Sequence, residues 1–587
     1  MYSLLVAIVI PFSLTWMSYN PLVQTFLARI AASYLSNQLN TVIKIDGLYI
    51  TPGLDLNASG VLALDQHTDT LFYAGEISVD MKRFSLQRSK KIFDVNAIRI
   101  ADASFSLIKD RNDSAFTYSF IRDHFETHAP DTEIDTIHGQ ADWQVSLFAL
   151  ELQNVRFRYI DENRVPRPLG MDYQNLDIFI HELQMEGLNI LNDTFDFAVN
   201  KLSCYDRCGF IVDELRGNFR LSPLFLIADS LHVITPRSDI NLDLTFHYNG
   251  WPSYIKFTEE VEMLADIRPS ELNIKDIGYF APHLLVMDNQ LRVGGVVKGR
   301  VNNMRVKDFR FAFGKNTHFK GDVRLYGLPD VWETYIHTRV DEFTMSQADI
   351  KNFAIPGLYR YIPVPPELEV FGMMEIKGAF TGFYNDFVSK AEFISDIGTI
   401  TTDVSLQQNE DHTDVEYNGQ LTARNFDIGE FLNLPDYLGY MDLDASINGS
   451  GLTGQTIEIG MTGNIDSLEF MGNTFNQLDI SAEIAEKKFN GRLDVQDDLI
   501  NMAFNGILDF EQKKPLFDFT ADIRDADMFK LNLITRDSLL KLDVKLNCNF
   551  IGYESDDLEG RIRIDSMVYR EGDKRWYMEH LTLISLK

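Results

Sequence analysis

Three cysteines in 587 residues are too few for a disulfide framework. Cys204 and Cys208 flank a short Tyr-Asp-Arg turn, and Cys548 stands alone. C-x3-C with no second pair and no histidine cluster nearby is a poor zinc ligand set. The pair reads as structural thiols, with a local disulfide the alternative in an oxidising compartment. Basic residues are scarce too: 54 Lys and Arg stand against 86 Asp and Glu, a net charge of −32. Such a surface repels nucleic-acid phosphate. One basic cluster, Lys82, Arg83, Arg88, Lys90 and Lys91, is too local for a nucleic-acid footprint. It reads as a solvated turn, with lipid headgroups the alternative, and no nucleic-acid partner is expected.

Catalytic signatures are missing as well. There is no HExxH, GxSxG or Walker A loop, and no G-x-G-x-x-G between a strand and a helix. His124 and His128 in HFETH have the i, i+4 spacing of a helical metal pair, but no third ligand follows, and the segment runs into APDTEIDT. QNEDHTD, with Glu410, Asp411 and Asp414, lacks the glycine-centred loop of a calcium site. Both read as solvated acidic loops. No metal, cofactor or catalytic residue is expected, and the chain reads as a non-enzyme.

What is present begins with an uncharged N-terminus. Met1–Ala28 carry no charged side chain, and the first is Arg29. LLVAIVIPFSLTWM is apolar enough for a membrane helix near the short end of the required ~20 residues. No small-residue cleavage site follows, so residues 1–19 are expected to form an uncleaved transmembrane anchor. Residues 20–40 follow as an amphipathic helix: Asn20 can cap it, Pro21 suits its first turn, and Leu22, Val23, Phe26, Leu27, Ile30, Tyr34 and Leu35 keep helical spacing. It reads either as an interfacial helix or as a plug at one end of a sheet.

From Val42 onward the period is two, as in strands with one buried face. Leu71, Tyr73, Ile77, Val79 and Met81 alternate, and the pattern is densest after Met441. Apolar positions there are Leu443, Ile447, Ile457, Ile459, Leu468, Phe470, Leu478, Ile480, Ile484, Leu493, Val495, Met502, Phe504, Leu508 and Phe510. Asp442, Asp444, Glu458, Asp479 and Glu483 occupy the other face. Turn clusters at intervals of roughly ten residues imply antiparallel neighbours.

A longer repeat is superimposed. DIGYF at Asp276, DIKNF at Asp349, DIGEF at Asp427 and the looser DMFKL at Asp527 each precede a glycine-bearing strand. This predicts units of about five strands, each opened by a short crossing helix. The expected organisation is an N-terminal section over 41–270 and repeating units over 271–587, starting near 276, 349, 427 and 527. The fold class is mainly β: an elongated antiparallel groove whose apolar trough, lined by the fifteen positions above, is a binding surface.

NQLNTVIKIDGLYI, DTLFYAGEISVDM and the run from Cys208 to Tyr248 resemble the AsmA-like and TamB-type proteins of Bacteroidota-like bacteria. The resemblance spans most of the chain, rests on few fixed residues and carries no catalytic motif. It implies anchorage in the inner membrane, with a periplasmic β-groove conducting phospholipid toward the outer membrane. The alternative is a scaffold for outer-membrane barrel assembly with a barrel partner. The family's C-terminal conserved segment does not appear before LTLISLK, which puts partner docking in doubt and suits the N-terminal portion of a longer protein. A third reading, a β-solenoid enzyme on polysaccharide, would need a carboxylate cluster among interleaved aromatics.

Overall fold

A computed structural model describes residues 20–51, 53, 55–86, 90–113, 115–127, 142–191, 193–353, 366–408, 414–451, 458–485, 488–510, 514–531, 533–534, 540–552 and 559–585. Among them the chain divides into two compact units, one ending at Val306 and one beginning at Lys307. The expected span of residues 1–19 lies outside the described residues. Among those described, no helix is long and apolar enough to cross a membrane.

The first unit opens with the helix Pro21–Leu39, capped by Asn20, whose side chain accepts the Leu22 N–H. Strands follow: β1 (Ile43–Lys44), β2 (Gly47–Ile50), β3 (Leu56–Leu64), β4 (Thr70–Leu86), β5 (Lys90–Lys109), β6 (Asp142–Asp161), β7 (Asn175–Leu191), β8 (Thr194–Asp206), β9 (Ile211–Leu221), β10 (Phe225–Ile234), β11 (Asp239–His247), β12 (Glu262–Asn273) and β13 (Gln290–Arg300). β1 and β2 both pair with β3, and from β3 to β13 each strand pairs with the next. The pairing is antiparallel except at β5–β6, which is parallel from Lys90↔Asp142 to Lys109↔Asp161. The described residues between these two strands include a helix at Ser119–Thr127; a parallel pair needs a connection of a dozen or more residues.

β14 (Asn303–Phe313) spans the unit boundary. The second unit continues with β15 (Thr317–Tyr326), β16 (Tyr335–Ser346), β17 (Met373–Gly382), β18 (Asp386–Ser395), β19 (Gly398–Gln408), β20 (Val415–Asp427), β21 (Leu438–Ser450), β22 (Glu458–Phe470), β23 (Asn473–Ala485), β24 (Lys488–Gln496), β25 (Asn501–Asp509), β26 (Leu516–Asp527), β27 (Leu540–Ile551), β28 (Glu559–Glu571), β29 (Lys574–Met578) and β30 (Leu581–Ser585). From β15 to β28 it is a simple antiparallel meander, and β29 and β30 share the far edge of β28.

The recurring D-I-x-x-F phrase does something other than cross the sheet. The strands on either side of each phrase pair directly: Asn273↔Gln290, Ser346↔Met373, Asp427↔Tyr440 and Asp527↔Lys541. The segments between them are excursions at one end of a meander, because ladder partners on neighbouring strands leave nothing to cross. Short helices occur at Ile274–Gly278, Gln347–Ile350 and Ile428–Leu432, whereas Asp527 opens only a turn, with its carbonyl accepting the Leu531 N–H at 2.9 Å. Of the four aspartates only Asp427 caps a helix. The expected five-strand unit is corrected too: β13–β16 and β17–β20 fill two intervals, and β21–β26 the third.

A second recurrence bends the strands. Ser230, Asp308, Asn425 and Asp525 have left-handed backbones, with φ of 53°, 48°, 46° and 52°. Each donates its N–H to an aspartate on the following strand: Asp243, Asp322, Asp442 and Asp543, at 2.6, 3.1, 2.6 and 2.7 Å. The ladder register shifts at the left-handed residue in β10, β20 and β26. Such a bulge leaves one amide outside the ladder and sharpens the local twist; the carboxylate takes up that amide.

Candidate functional site

Residues directly opposite one another on neighbouring strands share a face, so ladder registers show which side chains line up. In the second unit every strand from β15 to β28 contributes one apolar residue to an unbroken row. It starts at Phe319 and Phe343, continues through Leu443, Ile465, Leu478 and Val495, and ends at Val544 and Met567. Leu443, Ile465, Leu478 and Val495 are buried. Val370, Phe371 and Ile428, brought in by the excursions at the strand ends, pack against that cluster.

Toward the other strand end lie three more rows, whose large side chains are half-buried while small ones such as Ala445, Ala482 and Ala521 are buried. Ile480, Leu493 and Phe504 are consecutive partners in one, and Ile447, Met461 and Ala482 in the next. Ile459, Ile484, Phe489, Leu508, Phe517 and Phe550 form the last. Among the described residues each strand of this meander is hydrogen-bonded only to its ladder neighbours, and no pairing closes the sheet on itself. The unit is therefore an open sheet with a graded apolar face: a sealed band near the excursions and a more accessible band beyond it.

The fifteen expected lining residues distribute unevenly over this face. Leu443, Leu478 and Val495 belong to the sealed row, and half-buried Met502 extends it. Ile447, Ile459, Ile480, Ile484, Leu493, Phe504 and Leu508 line the accessible rows. Leu468 sits between Met441 and Phe475. Phe470 is 42% exposed at the tip of its strand, and Phe510, 50% exposed, lies beyond the end of β25. Ile457 lies outside the described residues. Alternation missed Ile465, because a register shift between Asp442 and Leu443 reverses the facing of β22 on the way to Leu468.

The first unit carries a comparable face. Ala58, Ile77, Ile100, Leu152, Leu183 and Leu202 are successive ladder partners from β3 to β8, continued by Leu215 and Val233. Phe72 and Ala74 share that face with Ile77. Tyr73, expected alongside Ile77 and Val79, therefore points to the opposite side, whereas Leu71, skipped where the β3–β4 register shifts, is buried. Gly60, Asp102 and Asn154, all left-handed, mark the crease where the facing reverses.

The opposite faces are charged. Asp444 accepts from Thr422 at 2.7 Å and from Arg424 at 2.6 Å, which holds its carboxyl below the usual value. Asp522, beside Arg524 and Lys545, is likewise lowered. Exposed pairs of this kind contribute little stability, ~0–1 kcal/mol each; their effect is to keep one side of the sheet wet. His67, Asp110 and Asp113 are the described residues that could approach a common metal ion, and His67 Nδ1 is already 2.9 Å from an Asp110 carboxylate oxygen. His128, Glu410 and Asp411 lie outside the described residues. Cys204 and Cys208 are unbonded thiols.

Neither a family model, nor a curated protein, nor a solved structure matches this chain.

Proposed function

We propose that the chain is a lipid conduit: a protein held at the inner membrane whose open apolar sheet face carries phospholipid acyl chains through the periplasm toward the outer membrane. The observation that carries this reading is the set of apolar rows passing from strand to strand along one face of an open sheet. Each acyl CH₂ in water costs about 0.8 kcal/mol, so a 16-carbon chain costs on the order of 13 kcal/mol. A continuous apolar band removes that barrier with no chemical step, and a band without polar anchors lets the chain slide. From β15 to β28 the ladder advances by thirteen steps of ~4.8 Å, about 60 Å in all, roughly twice the ~30 Å hydrocarbon core of a bilayer.

A scaffold that templates outer-membrane β-strands is the rival reading. It draws on β30, which pairs only with β28 among the described residues and leaves Leu583 and Ile584 exposed; an open edge can accept another strand. Photo-crosslinkers placed in the membrane-borne full chain separate the two. At Ile480 and Phe504 they should capture phospholipid, and at Asp479 and Asn505, exposed on the opposite face, they should not. Equal lipid capture on both faces, or capture of polypeptide alone at β30, overturns the conduit.

A further inference from the structure

The helix Pro21–Leu39 is inside out. Three of its polar side chains, Gln24, Thr25 and Ser36, face the protein and bond the backbone of β1 and β2 as a neighbouring strand would, while Ser33 and Asn37 are exposed. Gln24 donates to the Ile50 carbonyl and accepts the Ile50 N–H at 3.2 and 2.7 Å; Thr25 does the same with Leu48 at 3.0 Å each way. Ser36 bonds Ile43 likewise, at 3.2 and 2.8 Å. Arg29, the only charged residue of the helix, is exposed but reaches back to donate to the carbonyls of Ile45 and Asp46. The outer side carries Leu22, Phe26, Ile30 and Tyr34 at i, i+4 spacing, 81%, 63%, 51% and 62% exposed, with Leu27 beside them. Those four positions form a strip about 18 Å long at ~1.5 Å per residue.

A second copy of the chain is a poor occupant for this strip. A helix–helix seam needs apolar residues at alternating three- and four-residue spacing, and each such line from Val23, Phe26 or Ile30 meets Ser33 or Asn37. The chain leading into the helix points elsewhere: residues 1–19 contain no charged side chain, and none occurs before Arg29. An interfacial helix ordinarily shows a charged face to water. Here a sheet edge takes the place of that water, so no charge is required. We infer that this helix lies in the headgroup–acyl boundary of a bilayer, apolar strip down, with the first edge of the sheet bonded to its back. The inference deepens the conduit reading by naming where the chain meets lipid at its N-terminal end.

The test uses the full chain in vesicles of phosphatidylethanolamine and phosphatidylglycerol, with a benzophenone side chain at Phe26 or at Ile30. These exposed positions tolerate it without loss of fold. Lipid adducts should form about tenfold more than at Asn505, as for a residue immersed at the interface rather than facing water. Adducts at Phe26 and Ile30 with none at Ile480 and Phe504 would support the interfacial helix and overturn the conduit. The reverse pattern would overturn the helix assignment alone. Crosslinks from Phe26 to a second copy, or to residues 1–19, would also overturn it.

Discussion

Asp349 shows how a single carboxylate organises a strand end. It sits in the excursion after β16, and its oxygens accept the N–H groups of Lys315, Asn316 and Thr317 at 3.3, 2.9 and 3.0 Å, tying down the turn between β14 and β15. Gly314, at φ +61°, is required beside it, since a Cβ there would fall 2.2 Å from the carboxylate. Burial raises the Asp349 carboxyl, but the Asn316 and Lys315 amides, with the Ser346 and Thr317 hydroxyls, hold it below its ordinary 3.8. A folded value below the unfolded one means that this stabilisation is complete above pH 3.8 and lost as pH falls through the folded value. Asp349→Asn turns one acceptor into a donor aimed at donors, at a cost of ~1–2 kcal/mol. Hydrogen exchange at Asn316 and Thr317 should then quicken by roughly 5–30-fold at pH 7, and the gap should close below pH 3.8; a pH-independent gap would refute the carboxylate's role.

The thiols give a second prediction at this scale. Burial pushes Cys204 and Cys208 up to about 11 from an ordinary 9.0. The thiolate is the reactive form, and two pH units are a factor of ~100 in its population. Alkylation by iodoacetamide at pH 8, followed by mass spectrometry, should be about 100-fold slower than for an exposed cysteine thiol; alkylation at the exposed rate would contradict the burial.

Among elements, the aspartate-sealed bulge is the device that matters most, and alternation alone did not reveal it. Asn425 adopts φ 46° and hands its N–H to Asp442. Glycine adopts that conformation without strain and valine does not. Asn425→Gly should therefore be close to neutral, whereas Asn425→Val should cost ~1–2 kcal/mol, read as a lower urea midpoint for the second unit; equal midpoints would mean that the left-handed residue is incidental. These bulges also explain what was legible. Period-two spacing located β21 and β23–β25 and put Leu478, Ile480 and Ile484 on one side. It could not anticipate facing reversals such as those at Leu468 and Tyr73, since a bulge shifts parity without altering composition. The signal that was present is an aspartate between two apolar residues in the strand after each bulge: LDL at Leu242, MDL at Met441 and LDV at Leu542. Nothing in the spacing marks the parallel β5–β6 pair, whose link is long where neighbouring links are short, or the D-I-x-x-F excursions, because register is set by contacts distant in sequence.

At the scale of the molecule, each unit exposes an apolar face too long to be a pocket, and transport along such a face differs from storage on it in how damage combines. A store loses capacity in proportion to the sites removed. A conduit is a series of steps, so one impassable step stops the flow and a second adds nothing. An unpaired carboxylate against acyl chains costs several kcal/mol, enough to make a step impassable. Where it is placed matters: Leu478 is buried in the sealed row, and a charge there would unfold the sheet, whereas Ile480 and Phe504 are half-buried in an accessible row that water can reach. Ile480→Asp and Phe504→Asp should each leave the protein folded and membrane-bound. Each should also cut phospholipid transfer between donor and acceptor vesicles by at least about tenfold, the effect of a barrier raised by ~1.4 kcal/mol. Lipid bound per chain, by mass spectrometry, should fall only fractionally, and the double variant should transfer no more slowly than either single one. Asp479→Lys and Asn505→Lys, on the wet side, should be nearly silent. If transfer and bound lipid instead decline together, and the two aspartates add, the face is a reservoir and the series mechanism is wrong.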